Sequence, residues 1–122
     1  MAVNPRGKDG EDLASAYLKR IGYKILERNY RCALGEIDIV ARDGPVLVFV
    51  EVKSQRTARF GTPQESVNPS KQRKISLIAL WFLKEKRLDD VPARFDVLGI
   101  RLGSGGPKFE LVRNAFDLAV WQ

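Results

Sequence analysis

The chain has no histidine and a single cysteine, Cys32, in its 122 residues. Without histidine, imidazole acid–base chemistry and the usual zinc sites are excluded, and one thiol allows no internal disulfide framework. Carboxylates and lysine must therefore carry any chemistry. Long apolar runs are missing too. The longest, residues 75–83 with Ser76 inside it, falls far short of the roughly 20 residues of a membrane-spanning helix. The opening MAVNPRGKDG lacks the apolar stretch of a secretory signal, so a reducing, cytoplasmic setting is expected, with Cys32 an ordinary thiol. There is no internal repeat, linker or low-complexity segment, and the length fits one domain, residues 1–122, with an ordinary core.

What is present is basic charge. Lys and Arg number 21 against 15 Asp and Glu, a formal charge of +6. Such a field favours a polyanionic partner where the basic residues cluster, although many small proteins are equally basic without binding nucleic acid.

The most informative stretch is GEIDIVARDGPVLVFVEVK, residues 35–53. Two β-rich runs, 36–42 and 46–53, flank Asp43-Gly44, a dipeptide that favours a two-residue hairpin turn. Pairing Arg42 with Pro45 sets Asp38 opposite Phe49 and Glu36 opposite Glu51. Strand alternation then gathers Glu36, Asp38, Glu51 and Lys53 on one face and Ile37, Ile39, Val50 and Val52 on the other, one for chemistry and one for core. Like charges facing one another in a sheet cost a few tenths to about 1 kcal/mol per pair, so a compensating group is expected. Mg²⁺ or Mn²⁺ fits, because such hard ions take one or two carboxylates together with water and phosphate oxygens. Lys53 would point at the same place and could neutralise charge growing on phosphorus. The bland alternative is a solvated hairpin face with a cross-strand Lys–Glu pair. Against it stands the unbroken apolar run 46–50, which suits a strand covered on both faces.

Elsewhere the periodicity predicts a helix over 9–21, with Leu13, Ala14, Tyr17, Leu18 and Ile21 in one stripe and Gly22 as its stop. Glu11 falls on the border of that stripe, able to reach the sheet, or simply complementing the helix dipole. A strand is expected over 23–30. Residues 54–64, SQRTARFGTPQ, read as a mobile loop whose Arg56 and Arg59 either grip phosphates or are ordinary solvated charges. Asn68 and Pro69 look like the cap and first residue of a helix to about residue 87, buried through its middle, with Trp81 and Phe82 in the core. Lys71 shares a stripe with Ile75, Ile78 and Phe82, and with Arg73 and Lys74 it makes a basic first turn that an anion would relieve. Strands over 94–101 and 108–112 and a short terminal helix over 114–121 complete an α/β order: helix, three strands, helix, two strands, a mixed sheet with helices against it.

Several ordered segments match a known pattern: Gly10-Glu11, Arg28-Asn29-Tyr30, Gly35-Glu36-Ile37-Asp38, VFVEVK at 48–53, Phe60-Gly61-Thr62-Pro63, Arg94-Phe95-Asp96-Val97 and Asn114-Ala115-Phe116. Through them nearly the whole chain resembles the YraN-like family of uncharacterised bacterial proteins, grouped with the PD-(D/E)XK nuclease superfamily and similar to archaeal Holliday junction resolvases. The resemblance implies a restriction-endonuclease-like core of αβββαβ order, a mixed central sheet flanked by helices. It also implies Asp38 and Glu51 as metal ligands with the Val52 carbonyl as a third, Lys53 as the catalytic lysine, and Glu11 as a helix-borne acid that assists at the metal. Glu36 and Gln64 match the pattern as weaker candidates, Gln64 for nucleic-acid contact. One departure concerns phosphate contact: family members usually carry arginine two residues after the motif lysine, where this chain has Gln55 and, one later, Arg56.

The resulting expectation is an Mg²⁺- or Mn²⁺-dependent, structure-selective DNA endonuclease acting on branched or recombination-associated DNA, with Arg56, Arg59, Gln64, Lys71, Arg73 and Lys74 contacting the nucleic acid. The alternative is a non-catalytic DNA-binding protein of the same fold, a partner in recombination or DNA uptake. A third reading is an interaction module that pairs strands across a homodimer.

Overall fold

The computed structural model describes residues 8–55 and 62–119. Helix α1 spans Lys8–Arg20 and ends where Gly22 adopts φ +104°, a conformation that costs glycine nothing. The Gly22 N–H then bonds the Lys19 carbonyl and the Tyr23 N–H the Leu18 carbonyl, the paired bonds that satisfy a helix end. This stop delivers the chain into β1 (Lys24–Cys32), followed by β2 (Gly35–Asp43) and β3 (Val46–Gln55). A single 3-10 turn (Pro63–Ser66) leads to α2 (Pro69–Glu85), then β4 (Ala93–Arg101) and β5 (Lys108–Phe116). Asn68 caps α2 as expected, its side-chain oxygen accepting the Lys71 N–H at 2.8 Å with Pro69 just inside.

The strands lie in the order β1-β2-β3-β4-β5. All neighbours are antiparallel except β3 and β4, which run parallel and are joined through α2. This is the mixed sheet with two helices expected of a restriction-endonuclease-like core. Both of its faces are covered. Ala14 and Leu18 of α1 pack with Tyr23, Ile39, Ala41, Val48, Val50, Leu98 and Ile100. Ile75, Ile78, Ala79 and Phe82 of α2 pack with Tyr30, Ile37, Val40, Leu47, Phe49, Phe95 and Val97. Each fully buried aliphatic or aromatic side chain contributes roughly 1.5–3 kcal/mol of burial. Phe82 also meets the Tyr30 and Phe49 rings edge-on, with centroids 5.0 and 5.7 Å away.

Four expectations need correction. The hairpin closes on Asp43 and Val46, so the turn is Gly44-Pro45. Proline has no N–H with which to close a pair at Arg42, whereas Val46 has one. Gly44 takes φ +60° at the first turn position, leaving Pro45 at the second. Ile37 packs on the α2 side of the sheet, so a single core face opposite a single chemical face does not exist. Trp81 is 49% exposed, and Leu77 and Leu80 are exposed beside it, because α2 buries only one stripe. No helix forms over 114–119: β5 runs through Phe116, which stacks on Phe95 at 4.8 Å, and the Asn114 N–H bonds Asp96.

On the α1 side the sheet is locked by a polar network that reaches from the hairpin turn at Asp43 to mid-sheet at Asp96. Asp96, fully buried, accepts from the Tyr23 hydroxyl at 2.7 Å and from Arg94 Nε at 3.0 Å. Arg94 also donates to Asp43 at 2.8 Å and to the Tyr23 oxygen at 2.7 Å. Burial opposes the Arg94 charge, but its bonds to Asp96 and Asp43 outweigh that and hold its pKa above the ordinary value.

Candidate active site

Two carboxylates meet on the opposite, α2 side of the sheet, within β2 and β3. Continuing the Ile39–Val50 pairing by one residue sets Asp38 directly opposite Glu51. This is two residues from the expected register, and a two-residue shift preserves strand parity, so both acids still share a face. The strands part there, and the Val52 N–H bonds the Asp38 carboxylate at 2.8 Å. Thus Asp38 is fixed from below by backbone while its other oxygen faces Glu51.

Opposed this closely, the two carboxyl groups favour holding a single proton between them over ionising together. Burial, and then the Asp38 charge, push Glu51 up to about 8; Lys71, whose Nζ lies 3.4 Å from Glu51, works against the rise. Burial also raises Asp38, relieved by the bonds from Glu51 and Val52 and reinforced by Glu36 and Glu11 nearby. A sheltered pair of acids that cannot both ionise cheaply is an oxygen-donor site short of positive charge.

Lys53 lies two residues beyond Glu51 on β3, hence on the same face. It is half-buried and makes no hydrogen bond or ion pair with another described residue. From α2, Lys71 reaches Glu51, and the Lys74 side chain lies across Gly35, where a Cβ would come within 2.8 Å of its Cε. Arg73 is half-buried on the same turn, and Gln64 is exposed on the 3-10 turn. Arg56 and Arg59, with Phe60 and Gly61, lie outside the described residues. Glu36 turns toward β1 and pairs with Arg31 at 2.6 Å.

Glu11 stands slightly apart. Its carboxylate accepts from the Asn29 amide at 2.6 Å, with Arg28 3.7 Å away. Asn29 has φ +54°, unusual in a strand. That twist lets Tyr30 pack on the α2 side while Arg28 and Asn29 reach α1, where Arg28 also binds Asp12 at 2.6 Å. In the sequence, the sign of this contact is an asparagine inside a strand pattern, at Asn29.

Among the described residues, no three Asp, Glu or Cys side chains converge as a ready-made metal cage. Two carboxylates without sulfur or imidazole nonetheless suit Mg²⁺ or Mn²⁺, which complete their shells with water and substrate oxygens. The Val52 group seen at the site is its N–H, bound to Asp38.

Similarity to known proteins agrees over nearly all of the chain. A UPF0102 protein of Syntrophus aciditrophicus is 56% identical over 113 residues, covering 93% of this chain and 89% of the relative. One from Geobacter sulfurreducens is 57% identical over 114 residues, with the same coverage. Another, from Geobacter metallireducens, is 53% identical over 113 residues, 93% of each protein. The sequence model of the uncharacterised protein family UPF0102 matches residues 10–100, and the chain belongs to that family.

Proposed function

We propose that this protein is a divalent-metal-dependent DNA endonuclease that hydrolyses phosphodiester bonds at branched or recombination-associated DNA. The observation that carries the reading is the Asp38–Glu51 pair, half-buried and set opposite one another on adjacent strands, with Lys71 3.4 Å from Glu51 and a lysine, Lys53, on the same face whose side chain has no partner among the described residues. Nothing in folding requires acids to be opposed and sheltered; a cation and a phosphate would resolve the conflict.

Asp38 and Glu51 would hold the Mg²⁺ or Mn²⁺, Asp38 presented by the Val52 amide. When bound, the metal would polarise a non-bridging phosphate oxygen and lower the pKa of a water. In the hydrolysis, water adds through oxygen to phosphorus, the P–O ester bond breaks, and the leaving oxygen gains a proton. Lys53, on the same face as Glu51, would stabilise the negative charge that accumulates on phosphorus in that passage. Lys71, which pairs with Glu51, would be free to contact a substrate phosphate if Glu51 held the metal. Glu11, held by Asn29, supplies a second-rank negative charge near Asp38.

The test is cleavage of branched, single-stranded and duplex DNAs with Mg²⁺ or Mn²⁺, beside an Asp38→Ala control. Cleavage of branched DNA that vanishes in the control is expected. A second reading, a non-catalytic DNA-binding protein, draws on the Lys71–Glu51 and Asn29–Glu11 contacts, which already engage two of the acids. Binding of branched DNA with no cutting under either metal would decide for it. No described helix is long and apolar enough to cross a membrane.

A further inference from the structure

Beyond Lys53 the same face of the sheet continues into a small cavity of about 100 Å³, lined by Gln55, Pro63, Gly99, Arg101, Lys108 and Glu110. Its construction follows from the register. Gln55 pairs with Arg101 and Arg101 with Lys108, so three strand ends place these residues in one row across β3, β4 and β5. Ile100 and Phe109 pack on the α1 side, so Arg101 and Lys108 project to the opposite side, where Glu51 and Lys53 stand. One row inward, Lys53 pairs with Gly99 and Gly99 with Glu110. Gly99 has no side chain to spare: a Cβ would come within 2.5 Å of the Pro63 ring. The bare backbone thus lets the 3-10 turn close down and wall the cavity.

What sets this row apart is two cations gathered at the mouth of one cavity, outside the ion pairs that engage Arg28, Arg31, Lys71, Lys86 and Arg94. Arg101 and Lys108 are exposed and have no hydrogen-bonding or ionic side-chain partner among the described residues. The one carboxylate of the cavity, Glu110, lies in the inner row, nearer Lys53. The outer row is therefore an amide and two uncompensated cations. By strand geometry, Arg101 is four residues along and one strand over from Glu51, roughly 14 Å away between backbones. That is too far to touch a phosphate engaged at a metal on Asp38 and Glu51, and suits a neighbouring one on the same strand.

We infer that Gln55, Arg101 and Lys108 form a backbone-binding groove that takes the phosphates of the DNA strand flanking the scissile bond. The inference rests on the nuclease reading of the acids only for the identity of the polyanion. Because the contacts are to phosphate, they position the strand without reading its sequence.

The experiment is binding of a labelled single-stranded oligonucleotide and of a branched duplex over a range of salt, without divalent metal, with Mn²⁺ affinity measured separately. Each lost phosphate contact should reduce the salt slope by roughly 0.7–0.9. Arg101→Ala with Lys108→Ala should flatten the slope by up to two contacts and leave Mn²⁺ affinity within about twofold. Arg101→Lys with Lys108→Arg should keep the slope, showing that charge and not folding is at issue. Lys24→Ala with Lys84→Ala, removing two cations elsewhere, should also keep it. An unchanged slope in the Arg101, Lys108 alanine variant, with wild type binding DNA normally, overturns the groove and leaves the nuclease reading standing. Wild type that binds neither DNA overturns both, and binding without cleavage that still depends on this row keeps the groove while removing the enzyme.

Discussion

Glu51 is the residue on which burial, charge and chemistry collide. Its pKa is pushed up to about 8 from 4.5, chiefly by burial and then by Asp38. Between those values the folded protein holds a proton that the unfolded chain has released, so metal-free stability must fall as pH rises through that window. Asp38 is shifted in the same direction and adds to the effect. Thermal unfolding without metal should therefore show a melting temperature that declines from about pH 5 to pH 8. Mn²⁺ must displace that proton, so its affinity should climb over the same range and level off above it, with proton release visible in calorimetry in buffers of different ionisation heat. A flat profile would mean that Asp38 and Glu51 do not share a proton. Lys53 acts differently, because the charge it faces develops in the reaction. Lys53→Met should cut turnover by about 10²–10³-fold with DNA affinity nearly unchanged. Equal losses in affinity and rate would make Lys53 an ordinary phosphate contact.

At the scale of elements, the site depends on how α2 and β2 meet. Gly35 begins β2 at φ +142°, and its open side receives Lys74 and Ile78. Gly35→Ala must strain the backbone and displace Lys74, so a loss of about 1–3 kcal/mol is expected in chemical denaturation. The hairpin shows why strand parity was legible while register was not. Alternation of apolar and acidic residues fixes which side Asp38 and Glu51 occupy, and that survives a shift of two. The pairing itself turned on Pro45 lacking an N–H, a single-atom matter that the preference for Asp43-Gly44 obscured. Local pattern also failed at residues 114–119, where helical spacing yields to contacts with Asp96 and Phe95, both distant in sequence. Trp81 misled for another reason: hydrophobicity all round a helix does not say which stripe has a sheet to cover it. Arg101 was invisible as a site residue because cross-strand pairing places it, whereas Asn29 showed only as an asparagine inside a strand pattern.

Over the whole molecule, charge is divided between the two faces of one sheet. On the α1 side, Asp96 is fully buried but satisfied by Tyr23, Arg94 and the Asn114 backbone N–H. On the α2 side, Asp38 and Glu51 are half-buried with too little positive charge, relieved only in part by Lys71. Removing one carboxylate charge should therefore have opposite signs on the two faces. Asp96→Ala leaves the Arg94 guanidinium without its main partner, and breaking a buried pair in this way costs about 3–5 kcal/mol. Asp38→Asn keeps the acceptor for the Val52 amide and, above about pH 8 where Glu51 also ionises, removes one of two opposed charges, so the metal-free protein should gain up to about 1 kcal/mol there. Parallel denaturation of both variants with and without Mn²⁺ tests the contrast. Wild type and Asp96→Ala should each be stabilised by Mn²⁺, because it binds only the native site, whereas Asp38→Asn should lose most of that response. If Asp38→Asn instead destabilises the metal-free fold as Asp96→Ala does, the carboxylate pair is a structural feature of the sheet and not a strained site awaiting a cation.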